Sequence, residues 1–263
     1  MARTSLKNVL RLLNEEQEAL TPDQCFLQDL KRSIELNDKK NARKPSQSYK
    51  PSSMNCIRNM YYQKMGKDPD ESETSYNFIG ICNSGTDTHV RIQTAVANMK
   101  EVGMQCDYVD VAKYVKTHKL NDIEIVSQQG METKLKNNRY DLSFMCDGII
   151  RYKRKYYILE LKTETTNKYF RRTGVDPGHY NQGTAYSISL GIDEVIFVYI
   201  NRDTLDMKSY MFVPTDDQKQ ELIGKITNCD GYVKRKIAPP RPNDLDSKSC
   251  QYCNYKSYCR RDG

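Results

Sequence analysis

No segment of the chain approaches the roughly 20 consecutive apolar residues that a membrane-crossing helix requires, so no membrane partner is expected. Residues 1–17 begin basic, but charged side chains interrupt the apolar run within a few positions, and no small-residue cleavage site follows. A secretory signal is therefore not expected, and the chain is read as a protein of the reducing cytoplasm. In that compartment nine cysteines do not form a disulfide framework; they are expected to be free thiols or metal ligands. Internal repeats are absent, and so are helix-turn-helix and finger patterns, which excludes the common devices for reading base sequence.

What is present is enough for one large domain, or a core with appendages: 263 residues, 38% hydrophobic and 29% charged. Such a chain can bury a core, and wholesale disorder is not expected. Lys and Arg number 41 against 34 Asp and Glu, a net charge of +7. The excess favours a polyanionic partner without singling one out, because a mildly basic surface also serves solubility.

Apolar residues at helical spacing predict helix over 5–37, through Leu6, Val9, Leu10, Leu13, Phe26, Leu27, Leu30 and Ile34, with Pro22 dividing it. Residues 38–53 are polar, basic and broken by prolines, and read as a linker. A short helix is expected over 54–66, ending at Gly66. After an acidic loop at 67–76, a second is expected near 84–100, capped by Ser84 with Asp87. From residue 123 the period becomes two. Strands are predicted at Ile123–Ser127, Leu142–Arg151 and Tyr156–Thr163, the last two joined by a basic turn at Lys153–Lys155. A helix over 177–190 has Asp176 as cap, Pro177 in its first turn and Gly191 at its end. Strands Val195–Ile200 and Lys208–Val213 follow, then a helix opened by Thr215 and Gln218 through about Ile226, and an irregular cysteine-rich tail. The order implies a mixed α/β core with helical flanks.

The residues that carry chemistry are Asp147-Gly148-Ile149 on one strand and Glu160-Leu161-Lys162 on the next. Period two puts Glu160 and Lys162 on one face, with Leu159 and Leu161 on the other. A hairpin would bring Asp147 to the polar face, and two converging carboxylates make a site for Mg²⁺ or Mn²⁺. Such an ion polarises a phosphoryl oxygen and acidifies an attacking water, while a lysine two residues from a ligand orients that water or stabilises developing charge. Taken alone, a Glu-x-Lys triplet is more often a surface ion pair of little energetic consequence.

The set resembles the PD-(D/E)xK nucleases, with Asp147 at the motif's first acidic position and Glu160-Leu161-Lys162 at its second half. The closer likeness is to the RecB/AddB-type iron–sulfur branch that includes the CRISPR spacer-acquisition exonucleases. That branch carries Gly-x-x-x-His on a helix before the core strands, which Gly85 to His89 match, and Gln-x-x-x-Tyr on the helix after them, which Gln182 to Tyr186 match. The resemblance implies a restriction-endonuclease-like mixed β-sheet flanked by helices. It implies His89, Asp147 and Glu160 as metal ligands, Lys162 acting on water and transition state, and Gln182 and Tyr186 as positioning residues. It also implies a metal-dependent deoxyribonuclease, an exonuclease on single-stranded or frayed DNA in recombination, repair or genome processing. Recombination or replication proteins are its possible partners. Compact members of this kind occur in bacteriophages and CRISPR systems, and a phage origin would place the chain in the host cytoplasm. His179, one turn before Gln182, reads as a surface residue or at most a phosphate contact.

Cys250-x-x-Cys253 with Cys259 puts three thiols within ten residues, one ligand short of a four-thiolate site. Cys56 is the candidate for the fourth. Its surroundings, Cys56-Ile57-Arg58-Asn59-Met60-Tyr61, resemble the amino-terminal Cys-x-Arg-x-x-Tyr segment of the same nucleases, which implies a 4Fe–4S clasp between the two ends of the chain. Structural Zn²⁺ is the alternative, since four thiolates suit either. Cys25, Cys82, Cys106, Cys146 and Cys229 lack partners at metal spacing and read as small apolar residues.

Residues 1–50 lie outside the resemblance and read as a helical extension with linker, with 51–263 as the nuclease domain. Lys39, Lys40, Arg43, Lys44 and Lys50 form one basic group. Lys168, Arg171 and Arg172, interleaved with Tyr169 and Phe170, form another, better placed for phosphates and unpaired bases. Two other functions fit fewer of these features: a non-catalytic DNA-binding accessory protein on the same fold, and a zinc-stabilised interaction protein.

Overall fold

The computed structural model describes residues 20–41, 46–70, 74–242 and 248–262. The expected helical pattern at Leu6 to Leu13, along with Arg43 and Lys44, falls outside them. The described residues form two units, one of 20–41 with 74–83 and one of 46–70 with 84–242 and 248–262. In the first, helix α1 (Pro22–Lys40) opens on a capping box between Thr21 and Gln24 with Pro22 in its first turn, the position proline tolerates best. It buries none of its residues, and Phe26, Leu27 and Leu30 remain exposed. Cys25 and Cys82 are exposed too, so they do not fill apolar space as the sequence reading expected.

The second unit is mixed α/β. A 3-10 turn at Pro51–Ser53 leads into α2 (Ile57–Lys64), and α3 spans Tyr76–Ala97, with its residues from Ser84 onward in this unit. Next come β1 (Cys106–Val109), α4 (Val111–Thr117), β2 (Ile123–Gln129), β3 (Glu132–Asn137), β4 (Leu142–Phe144), β5 (Gly148–Tyr152) and β6 (Lys155–Glu164). The order continues with α5 (Thr166–Arg171), a 3-10 turn at Pro177–His179, α6 (Tyr180–Leu190), β7 (Val195–Asn201), β8 (Met207–Phe212), α7 (Asp216–Arg235), α8 (Lys248–Gln251) and α9 (Lys256–Arg261). Five strands form a mixed sheet in the order β1-β5-β6-β7-β8, and β2-β3-β4 form a second sheet. Among the strands of the described residues, β6 and β7 are the pair that runs parallel, with α5 and α6 between them, as a parallel pair needs a crossover.

Alternation along β6 sorts the large sheet's two faces. Leu159 and Leu161 pack with Ile150, Ile200 and Ile92 of α3. Ile158 packs on the other side with Phe197, Tyr199 and the α6 residues Ala185 and Tyr186. Glu160 and Lys162 share the parity of Ile158 and so lie on the α6 face.

Several expectations need correction. The strand read as Leu142–Arg151 is two, because β4 pairs with β3 in the small sheet while β5 pairs with β6 in the large one. The chain changes sheets at Met145–Asp147, so Asp147 precedes its strand instead of lying within it. Ser84 does not cap a helix: α3 begins at Tyr76, and the Ser84 carbonyl accepts from the Thr88 hydroxyl inside it. The segment read as a linker is helical to Lys40, and at Tyr49 it enters the core. Tyr49 is fully buried, bridges to Leu142 and donates its hydroxyl to Asp230 at 2.7 Å. Strands β1 and β3 and helices α4 and α5 had not been read from the sequence. The tail contains two short helices, and α7 runs nine residues past Ile226, to Arg235. Asp176 does accept from the Gly178 N–H, and Gly191 ends α6 at φ +67°, where a residue without Cβ is unstrained.

Candidate active site

Six residues singled out in the sequence fall into two hydrogen-bonded sets, Glu160 with Lys162, Gln182 and Tyr186, and His89 with Asp147, connected through the backbone at Leu161 and Met145. Glu160 is 3% exposed. Its Oε1 accepts from Lys162 Nζ and Gln182 Nε2, each at 2.7 Å. Lys162 also donates to Gln182 Oε1 at 2.9 Å, so a single amide bridges the acid and the ammonium group. The second Gln182 N–H reaches the Tyr186 hydroxyl, which donates to the Met145 carbonyl. The i, i+4 pair on α6 thus grips the break that delivers Asp147. Asp147 Oδ1 lies 2.9 Å from His89 Nδ1, and Oδ2 accepts from the Leu161 N–H at 2.6 Å.

Two contributors, Gln93 and Tyr108, were not read from the sequence. Gln93, one turn after His89 on α3, donates to the Asp147 carbonyl at 2.7 Å while only 1% exposed. Tyr108 on β1 donates to the same carbonyl at 3.1 Å. Its ring explains Gly148, where an added Cβ would come within 2.7 Å of it. The spacing of Gln93 from His89 was a usable signal; Tyr108 depends on β1 lying beside β5. His179, read as a surface residue, is instead partly buried, stacked near Phe197 and Tyr199, with Nδ1 3.0 Å from the Tyr199 hydroxyl. It is pushed down to about 4 by burial and by the Lys162 charge.

The electrostatics centre on Glu160. Burial, and then the charge of Asp147, push its carboxyl up to about 7, against the pull of Lys162 and His89. For His89, burial opposes the charged form, but the hydrogen bond and charge of Asp147, then the charge of Glu160, outweigh it and the net direction is upward. Among the described residues, Glu160 Oε2 is the one buried side-chain oxygen without a hydrogen-bond partner. An unpartnered buried acceptor is costly, and a cation is a natural partner for one flanked by a second carboxylate. The donor set of Glu160, Asp147 and His89 therefore fits a hard divalent ion. No group of three or more His, Cys, Asp or Glu side chains among the described residues already converges as metal ligands do.

A carboxyl whose folded pKa lies above its unfolded value binds its proton more tightly in the fold, so its contribution is full at acid pH and is lost as pH rises through about 7, and the raised His89 acts in the same direction. In chelator, the thermal midpoint should fall by on the order of 5 °C between pH 5.5 and 8.5 through this site. Glu160→Gln should flatten most of that fall and melt higher than wild type at pH 8.5. An equally steep decline in Glu160→Gln would acquit this carboxyl.

The second basic group separates. Arg171 is exposed. Arg172 is not free for phosphates: its side chain is 7% exposed, and it pairs with Glu164 through two N–H groups and with Asp176 at 3.1 Å. Lys168 also faces Glu164 and Asp176, at 3.3 and 3.1 Å. This cluster braces the loop between β6 and α6. Glu164→Ala should cost about 3 kcal/mol in urea melts, the low end for breaking a buried pair, because Asp176 still partners Arg172.

Cys56, Cys250, Cys253 and Cys259 line one cavity of about 250 Å³ with Arg58, Asn59 and Tyr255. Cys253 Sγ accepts from Asn59 Nδ2 at 3.7 Å and from the Tyr255 N–H at 3.4 Å. Arg58 is 2% exposed, and its Nε has no partner. Four thiols, donors aimed at sulfur and an unpartnered guanidinium N–H fit an anionic group in this cavity. Among the described residues no helix is long and apolar enough to cross a membrane.

No model of a known protein family matches the chain, and no curated protein matches it in sequence. Among solved structures, the crystal structure of SSO0001 aligns at 14% identity with a TM-score of 0.46, covering 90% of this chain and 98% of that one. The alkaline exonuclease LHK-Exo from Laribacter hongkongensis aligns at 9% identity and 0.43, covering 73% and 90%. Its complex with dAMP aligns at 10% and 0.43, covering 72% and 89%. These are likenesses of outline, and at such scores they carry no inference about activity.

Proposed function

We propose that the protein is a metal-dependent deoxyribonuclease of the PD-(D/E)xK kind, acting on single-stranded DNA or DNA ends. The observation that carries the reading is the buried Glu160, with one oxygen held by Lys162 and Gln182, the other unpartnered, and the charge of Asp147 near enough to push its carboxyl up. A surface ion pair would show neither the burial nor the spare acceptor. Asp147, Glu160 and His89 would hold Mg²⁺ or Mn²⁺. The ion would supply Lewis-acid activation of the phosphodiester and of water.

The chain's own residues do the rest. Lys162, 21% exposed at its side chain, is the group of this network that can present a positive charge to a phosphate oxygen. Gln182 keeps the ammonium group and Glu160 in register, and Tyr186 fixes the Met145 turn so that Asp147 cannot drift from them. Gln93 and Tyr108 hold the Asp147 backbone from the other side.

In the same reading the four cysteines hold a 4Fe–4S cluster that clasps residues 56 and 250–259. The four sulfurs line one cavity, and a structural Zn²⁺ is the alternative occupant, since four thiolates suit either. The test of the activity is degradation of end-labelled single- and double-stranded DNA, linear and circular, with Mn²⁺ or Mg²⁺. Metal-dependent product is expected from linear single strands. Binding without cleavage would instead establish a non-catalytic DNA-binding protein.

A further inference from the structure

The aromatic row beside Glu160 and Lys162 contains a donor that the network above does not use. In the parallel pairing of β6 with β7, Glu160 is level with Phe197, Lys162 with Tyr199 and Glu164 with Asn201. Level residues of parallel strands point to the same face. The His179 ring lies near-parallel to Phe197 and Tyr199, both centroids 5.9 Å away. It therefore stands on the face that carries Glu160 and Lys162, close enough for the Lys162 charge to act on it.

Its tautomer is determined by its neighbours. The Tyr199 hydroxyl, on a fully buried residue, accepts the Asp176 N–H at 3.0 Å. Tyr199 is fully buried, and among the described residues its hydroxyl proton has no other hydrogen-bond acceptor, so that proton goes to His179 Nδ1, at 3.0 Å. Arg172, stacked 4.0 Å over the Tyr199 ring, holds that residue in place. Burial and the nearby ammonium group keep the imidazole neutral. A neutral imidazole that accepts at Nδ1 carries its proton on Nε2. His179 Nε2 has no hydrogen-bond partner among the described residues, and the side chain is partly exposed.

We infer that His179 is a substrate-contact residue, its Nε2–H donating to a phosphate oxygen of the DNA strand that meets Lys162. The inference rests on the DNA reading above. A neutral donor suits the position: it adds no charge against Lys162, and its donating state is the same across the neutral range. An alternative role, that of ring filler in the aromatic row, needs the ring but not the proton.

Two substitutions separate the roles. His179→Phe keeps an aromatic ring against Phe197 and Tyr199 and removes the donor, whereas His179→Gln restores an N–H donor near the position of Nε2. The readouts are fluorescence anisotropy of a fluorescein-labelled single-stranded oligonucleotide with Ca²⁺ in place of the activating ion, single-turnover cleavage in Mn²⁺, and thermal melting. His179→Phe should weaken oligonucleotide binding roughly ten-fold, as loss of one hydrogen bond to a charged group does, and should also lower the midpoint, because the buried Tyr199 hydroxyl loses its acceptor, so binding is measured well below that midpoint. His179→Gln should recover most of that affinity. Wild-type affinity in His179→Phe, or a glutamine variant as defective as the phenylalanine one, overturns the contact. Wild-type protein that binds the oligonucleotide but never cuts it removes the nuclease reading and leaves the contact to be judged by binding. Wild-type protein that binds no DNA removes both.

Discussion

Lys162→Ala is expected to lower the Mn²⁺-dependent rate of DNA degradation by about 10²–10³-fold or more, the usual cost of removing one preorganised charge-stabilising donor. Glu160→Ala is expected to do at least as much, because it removes both a cation ligand and the anchor of Lys162 and Gln182. The two differ in stability. Glu160→Ala takes away a buried carboxyl pushed up to about 7, which disfavours its charged form in the fold, so its chelator-treated midpoint at alkaline pH should not fall far. Lys162→Ala leaves that carboxyl with only Gln182 to answer it and should be the less stable of the two there. Both variants should keep wild-type circular dichroism. Full activity in either would discredit the site, since no other described carboxylate combines burial with an unpartnered oxygen.

The second large effect concerns the cysteines. Protein prepared without oxygen should be brown, with broad visible absorption and about four irons per chain if the cluster reading holds. Cys56→Ser should bleach it and also loosen the fold. The clasp closes a loop of 194 residues (250 − 56), and a cross-link over a loop of that order is worth roughly 4–5 kcal/mol by chain-entropy reasoning. Limited proteolysis near Cys250–Cys259 should therefore accelerate in Cys56→Ser, while Cys106→Ser, at a buried thiol away from the cavity, should stay coloured. Colourless protein with stoichiometric zinc would replace the cluster by the zinc alternative. Metal-free protein with undiminished stability would leave these thiols without a ligand role.

Much of the site could be read because it is built from short-range regularities. Glu160 and Lys162 face the same way because strands have period two, and Gln182 and Tyr186 face the same way because helices repeat near four. These relations survive any tertiary arrangement. Asp147 was expected within a strand but precedes β5, because a continuous apolar run at 142–151 reads alike whether it is one strand or two in different sheets. Tyr49 was hidden by polar neighbours, and its burial depends on Asp141, Ser143 and Asp230, far along the chain. Lys168 and Arg172 read as free cations because their partners Glu164 and Asp176 are brought round by a turn that composition does not reveal.

The sequence by itself determined which residue types could carry the chemistry and which faces of their own elements they occupy, because periodicity is a property of the local backbone. Only the tertiary structure decided that Glu160 keeps one oxygen unpartnered, that Asp147 is gripped from two sides, and that His179 stacks on the sheet face that carries Lys162. Each of these is a property of burial and of neighbours distant in the chain, and burial shifts proton affinities and leaves lone pairs without partners.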